Sequence, residues 1–300
     1  MRTLLKQLAE RALVGMGAAA VGRALRRRDV LILAYHNVLP AGERPSGDTS
    51  LHLPHAEFTR QIEALARTHE IVPLSSILDE SPAGPRPRAV MTFDDAYVGA
   101  LRVAVPELVR RRIPATIFVA PGLLGTQTWW DALADEDVGA VPPAVRDRAL
   151  TELAGEGEAI LAWKPAAAQL PAVSSLRIGT EADLIAAAQP GITFGSHTWS
   201  HANLAALSPD GLHRQLRASM DWLRERFSNF TPWLSYPYGL YSPSVERAAA
   251  DVGYAGALRV DGGWHRSSPG RSAHALPRYN VPAGLSTDGF RLRLGGIGAR

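Results

Sequence analysis

Ala89-Val90-Met91-Thr92-Phe93-Asp94-Asp95 joins a short apolar, β-rich run to two adjacent carboxylates. The run has the length and composition of a buried strand, so Asp94 and Asp95 fall just past its end. Strand alternation sends neighbouring side chains to opposite sides, which lets one carboxylate bind a metal while the other stays free. Further along, Ile192-Thr193-Phe194-Gly195 repeats the pattern and runs into Ser196-His197-Thr198-Trp199-Ser200-His201. His197 and His201 are four residues apart, so a helical turn there projects both rings from one face toward a single ion. Two His and one carboxylate with an open position suit a catalytic Zn²⁺, which lowers the pKa of a bound water to about 7. Unpaired carboxylates are costly where a buried strand finishes, and this favours a site over a solvated surface pair.

The same strand-then-helix rhythm extends both ways from this stretch. Val30-Leu31-Ile32-Leu33-Ala34-Tyr35 is an apolar strand ending at His36, and Ala115-Thr116-Ile117-Phe118-Val119 is another. Between strands, Phe58, Ile62, Leu65 and Ala66 form a helical stripe, and 98–112 reads as a helix with Arg110-Arg111-Arg112 at its negative pole. Ser208-Pro209 and Ser242-Pro243 each place a capping residue before a Pro at the first helical position. Leu212, Leu216, Met220, Leu223 and Phe227 then continue one apolar face. Ala255-Gly256-Ala257-Leu258 leads to Asp261. Repeated strand and helix predict an α/β fold with a parallel sheet and crossover helices. The expected architecture is a distorted (β/α) barrel of about seven parallel strands, whose site lies at the strand ends. Residues 129–190, Ala-rich and acidic, read as a helical insertion that begins with Trp129-Trp130-Asp131.

With 300 residues and 46% apolar content, one sizeable core is expected, over residues 29–300. The chain has no cysteine, which leaves His, Asp and Glu as metal ligands. The net charge of +3 is unevenly spread: residues 1–28 hold Arg2, Lys6, Arg11, Arg23, Arg26, Arg27 and Arg28 against Glu10, a net of +6, so the remainder carries −3. A nucleic-acid-binding body would carry its basic groups on the folded domain, so no nucleic-acid partner is expected. Leu4, Leu5, Leu8, Ala12 and Leu13 recur at near-helical spacing among these charges, as in an interfacial amphipathic helix. A signal peptide and a helix packed on the bottom of the barrel are the alternatives. The run is too short and Gly-rich for a membrane span of about 20 residues. Peripheral contact of residues 1–28 with a membrane is therefore expected, in a cytoplasmic or membrane-peripheral protein, with export on a signal peptide left open.

At these motifs the chain resembles the polysaccharide deacetylases of carbohydrate esterase family 4. Thr92-Phe93-Asp94-Asp95 matches the first family motif, and Ser196-His197 with His201 the second. Leu234-Ser235-Tyr236-Pro237-Tyr238-Gly239 resembles the third, which usually carries Arg where Ser235 stands. Leu33-Ala34-Tyr35-His36 fits the fifth motif, placed at the first strand as in the circularly rearranged poly-N-acetylglucosamine deacetylases. The resemblance implies Asp95, His197 and His201 on one divalent metal ion, zinc by ligand type, and Asp94 as general base. It further implies His36 as general acid, in preference to His274, and the main-chain N–H of Tyr238 as oxyanion donor. With Ser235 in place of Arg, Arg278 of Leu276-Pro277-Arg278 is expected to hold Asp94. Asp261-Gly262-Gly263-Trp264 loosely resembles the fourth motif, and Trp129, Trp130 and Trp264 are expected to contact sugar rings.

The implied activity is metal-dependent removal of N-acetyl groups from an acetylated hexosamine glycan, with release of acetate. An O-acetyl esterase or small-amide hydrolase would use the same centre. A glycan-binding module with a decayed centre would lack a ligand or the base, and the sequence lacks neither. A membrane-tethered scaffold in glycan synthesis rests only on the basic N-terminus.

Overall fold

The computed structural model describes residues 2–78, 84–165, 174–266 and 272–298. Met1 of the extension, residues 166–173 of the expected insertion and the last two residues of the expected barrel lie outside them. Helices α1 (Arg2–Gly15) and α2 (Ala18–Leu25) precede strand β1 (Val30–Tyr35). The short strands β2 (Asn37–Leu39) and β3 (His52–Pro54) pair in parallel beside α3 (His55–Thr68). Then come β4 (Glu70–Ile71), β5 (Arg88–Phe93), α4 (Val105–Arg111) and β6 (Ala115–Val119). Between β6 and β7 (Ile192–Ser196) lie α5 (Trp129–Ala132), α6 (Pro143–Thr151), α7 (Gly157–Trp163) and α8 (Glu181–Ala187). The alternation resumes with α9 (Pro209–Arg226), β8 (Phe230–Ser235), α10 (Pro243–Val252) and β9 (Gly256–Arg259). β10 (Trp264–His265), β11 (Leu276–Pro277), β12 (Tyr279–Asn280) and α11 (Thr287–Arg293) complete the chain.

β1, β5, β6, β7, β8, β9 and β11 are hydrogen-bonded in that order and all run parallel, as the strand-helix rhythm predicts. β11 pairs with β9 while β12 pairs with β1, so Pro277 and Tyr279, on either side of Arg278, bring the two edges of the sheet together. The sheet is thereby nearly closed into a (β/α) barrel.

Side-chain alternation sorts the core into two layers. Val30, Ile32, Val90, Phe118, Trp233, Leu258 and Leu276 fill the barrel, together with Leu74 and Ile77 from a short 3₁₀ turn. Leu31, Leu33, Tyr35, Ala89, Met91 and Phe93 point outward and meet Phe58, Ile62, Leu65 and Leu108 of the surrounding helices. Burial on both faces is why these strands read as unbroken apolar runs. Ala64 rather than Ala66 completes the buried stripe of α3. Gly195 belongs to this packing, since a Cβ there would stand 2.6 Å from the Phe118 ring. By the same parity, Thr92 and Asp94 follow Val90 toward the interior.

Helix boundaries follow local chemistry. The Ser208 and Ser242 hydroxyls accept from the Gly211 and Val245 amides, and each is followed by Pro. The helix predicted over 98–112 contains a π-helical stretch, Ala100–Ala104, next to Pro106, which has no N–H for the regular ladder.

Candidate active site

Asp94 ends its strand inside the barrel mouth, and Arg278 meets it with a two-pronged ion pair. Nη1 donates to Oδ1 and Nη2 to Oδ2, each at 2.7 Å. The guanidinium also donates to Thr92 Oγ1 (3.0 Å), Ser235 Oγ (2.7 Å) and the Arg259 carbonyl (3.3 Å). Ser235 in turn donates to Asp94 Oδ2 at 3.2 Å. A serine at 235 leaves space that a longer side chain would fill, and the cation arrives instead from the turn between β11 and β12. Arg278 is fully buried, with its guanidinium carbon 5.5 Å from the Phe118 ring centroid. Burial pushes the Asp94 carboxyl up, but the charges of Arg278 and His197 outweigh it and hold it well below the usual carboxylate range.

Asp95 escapes the strand parity because its backbone turns left-handed, at φ 69°. Its Oδ1 lies 3.5 Å from His197 Nε2 and 3.2 Å from His201 Nε2. Tetrahedral Zn²⁺ with bonds of about 2.0–2.1 Å keeps its ligand atoms about 3.3 Å apart, so this spacing fits one ion. All three side chains are buried, and no donor meets Asp95 Oδ1. His197 Nδ1 lies 2.8 Å from the Ser235 carbonyl, which can only accept; that contact places the ring proton on Nδ1 and frees the Nε2 lone pair. Burial lowers His197 to about 4 and His201 to about 3, so both rings are neutral at pH 7, as ligation requires. Burial also pushes Asp95 up to about 6, against the pull of His197 and His36.

The helical turn expected between His197 and His201 is absent. Residues 197–203 are irregular, with Thr198 at φ 66° and His201 at φ 59°, and the Thr198 amide donates to Ser196 Oγ at 3.2 Å. The rings converge because the chain kinks twice, rather than through helical spacing. Of the seven non-glycine residues at positive φ among those described, five are Asp95, Ala96, Thr198, His201 and Tyr238, all at this site. Such backbone strain is retained where the surroundings over-determine it, commonly at functional centres.

His36, Tyr238 and Trp130 line the same cleft of about 320 Å³, with Arg146 and Asn280 at its walls. That volume is at the small end of the roughly 300–1,000 Å³ usual for ligand sites. Burial holds His36 below its ordinary pKa, against the opposite pull of Asp95 and Asp94. Tyr238 sits at φ 58° in the turn after β8, its ring edge-on to His201 at 4.5 Å.

The three tryptophans part company. Trp130 packs 4.6 Å from His201 and stays at the cleft wall. Trp129 is only 2% exposed, with its Nε1 donating to Tyr238 Oη at 3.0 Å, so it presents no face to a sugar. Trp264 is not brought to the site. It pairs with Leu31 near the start of β1, against His69 and Arg26, about 16 Å of strand below His36. Asp261 pairs with Arg259 at 2.9 Å and lines no part of the cleft.

One part of the site was not anticipated from the sequence. Asp131, buried behind Trp130, accepts from the Asp48 amide (2.9 Å), Tyr97 Oη (2.7 Å) and Thr128 Oγ1 (2.9 Å). His52 Nε2 lies 3.0 Å from Asp131, and Asn37 Nδ2, a donor, lies 3.1 Å from His52 Nδ1; together these fix the His52 proton on Nε2. All four acceptor positions of the carboxylate are thus occupied. Trp130 Nε1 donates to Tyr97 Oη at 2.8 Å, so this network sets the ring that lies against His201. Its links from Tyr97, His52 and Asp48 to Asp131 span 34, 79 and 83 residues of sequence, which hides it from any local pattern.

The structure is thus a nearly closed parallel barrel with a carboxylate-imidazole centre at its strand ends. The chain belongs to the polysaccharide deacetylase family, whose model matches residues 82–257. It is 23% identical over 265 residues to YxkH of Bacillus subtilis (strain 168), which bears a polysaccharide deacetylase name; the match spans 86% of this chain and 74% of that protein. In fold it is similar to Streptococcus pyogenes deacetylase PplD in complex with acetate, with TM-score 0.60, 19% identity, and 87% of this chain and 96% of that one covered. IcaB from Ammonifex degensii is similar to the same degree, with TM-score 0.61, 19% identity, and coverage of 89% and 97%.

Proposed function

We propose that this protein removes N-acetyl groups from an acetylated hexosamine glycan and releases acetate, using one divalent cation held by Asp95, His197 and His201. Zinc fits the two-imidazole, one-carboxylate donor set best. The single observation that carries the reading is the donor-free Asp95 Oδ1 facing two neutral imidazole nitrogens, with Asp94 locked beside it by Arg278. A cation bound there supplies Lewis-acid polarisation and a lowered pKa for water.

The chain's own residues then divide the work. Asp94, kept ionised by Arg278, accepts the proton of the attacking water. The main-chain N–H of Tyr238 donates to the carbonyl oxygen as it gains charge, a contribution of about 2.7–4 kcal/mol for one such donor elsewhere. His36 delivers a proton to the leaving nitrogen, and Trp130 covers one side of the sugar. Residues 1–28 supply a peripheral contact with a membrane surface.

The test is acetate release from N-acetylglucosamine oligomers by zinc-loaded and chelator-stripped protein, run beside O-acetylated sugars. Zinc-dependent release from the N-acetyl substrates supports the reading. Release from the O-acetylated set alone replaces it with an esterase, and tight glycan binding without release leaves a binding module.

A further inference from the structure

The N-terminal helices are seated on the barrel in an unexpected way: the apolar side of α1 faces out. At about 100° per residue, Leu4, Leu5, Leu8, Ala9, Ala12 and Leu13 share one half of the α1 circumference, while Glu10 and Val14 share the other. Glu10 is the one buried side chain among the described residues of this helix. Its carboxylate accepts from the Ser286 hydroxyl at 2.5 Å, at the positive N-terminal pole of α11, and fits there because Gly289 has no Cβ. α2 then crosses the far end of α11 backbone to backbone, since a Cβ on Gly22 or Gly295 would meet the other helix within 3 Å. The extension is therefore docked specifically, yet Leu4, Leu5, Leu8, Met16, Val21 and Leu25 are 55–76% exposed.

We propose that this outward face of α1 and α2 docks the protein on an anionic phospholipid bilayer, with the leucines entering the interface and the basic residues at the headgroups. Charge argues for this occupant. Lys6, 3.9 Å from Glu10, and Arg11 flank the two borders of the apolar half-circle, and Arg27 and Arg28 are exposed just past the end of α2. The +6 of residues 1–28 against the −3 of the rest puts the chain's net attraction for an anionic surface in the extension. No described helix is long and apolar enough to cross a membrane. α1 runs in the same sense as α11, from Glu10 at Ser286 to α2 at Gly295. α2 leads into the start of β1, so the free end of α1 projects on the side where the strands end and the cleft opens. The proposal specifies the membrane contact named above and does not depend on the deacetylation chemistry.

The experiment is sedimentation of the full chain with phosphatidylcholine vesicles with and without about a third phosphatidylglycerol, at 0.1 and 0.5 M NaCl. Binding is expected only with the anionic lipid and is expected to weaken at high salt. L4S/L5S/L8S should bind more than tenfold less, and R27Q/R28Q about fivefold less per charge removed. Because the chain lacks cysteine, L8C carrying an environment-sensitive dye should shift to the blue on the same vesicles. All variants should keep the parental melting temperature and acetate release from soluble oligomers. Absence of binding to the anionic vesicles at 0.1 M NaCl overturns the proposal. So does a dimer in solution that L4S/L5S/L8S dissociates, which would give the face to a second copy of the chain.

Discussion

Replacing Arg278 by Met removes the cation from a fully buried pair and leaves the Asp94 carboxylate inside the barrel with only the Ser235 hydroxyl. Two charge-assisted bonds of 2.7 Å are lost, along with the contacts to Thr92 and the Arg259 carbonyl. Breaking a buried pair from one side costs about 3–5 kcal/mol. For a chain of this size that corresponds to a fall in Tm of roughly 6–20 °C, at about 2–4 °C per kcal/mol. Turnover should fall about 10²-fold, the usual result of releasing a reacting group from its alignment. Without Arg278 burial dominates at Asp94, so its pKa rises and the acid limb of kcat/KM moves to higher pH. Arg278→Lys keeps the charge but not the fork, and should fall between Met and the parent. Asp94→Asn combined with Arg278→Met should cost little more stability than either change alone, because the two act as a unit. The assays are thermal unfolding, zinc stoichiometry and acetate release across pH. A folded Arg278→Met protein with parental Tm and turnover would refute the reasoning.

Zinc affinity should be level above pH 7 and fall about tenfold per pH unit below about 6. There Asp95 takes a proton, while His197 and His201, at about 4 and 3, are not yet competing. Chelator competition between pH 5 and 8 measures this, and a flat profile contradicts it. His36→Asn should retain one zinc per chain and lose about 10²–10⁴ in turnover, the range for a general acid; parental turnover removes it from the mechanism. Tyr238→Phe keeps the main-chain N–H and gives up two hydrogen bonds, from Trp129 and to the Gly155 carbonyl, at about 1 kcal/mol of stability each, so kcat should stay within about threefold. A hundredfold loss would move the chemistry to the phenol. Asp131→Asn puts an amide among four donors and should cost about 1–3 kcal/mol, lowering Tm and acetate release while zinc stoichiometry holds.

The barrel was legible because β1, β5, β6 and β7 are short apolar runs between helical stretches, and the centre was legible because Asp94-Asp95 and His197 sit at two of their ends. The match to the family covers these residues and Tyr238, but His36 and Arg278 lie outside 82–257. Arg278 could be reached only by asking what must replace an arginine at Ser235. The failures share a cause. A two-residue strand such as Trp264–His265 has no periodicity to read, so nothing in the sequence reveals that the chain turns back there and carries Trp264 down the barrel. His197 and His201 have helical spacing, yet the positive φ of Thr198 and His201 comes from tertiary contacts that spacing does not encode. The leucines of α1 were visible as an amphipathic row, whereas the side on which the helix is mounted depends on Glu10 finding the start of α11.

Arg278 also occupies the seam of the cylinder, since the residue before it hangs on β9 and the residue after it on β1. The guanidinium that aligns the base is therefore also a rivet, and any breathing of the seam draws it away from Asp94 before the remaining strands separate. On warming, catalysis should fade while most of the secondary structure persists, with the Arg278 and Val281 amides the first of the barrel to exchange with solvent.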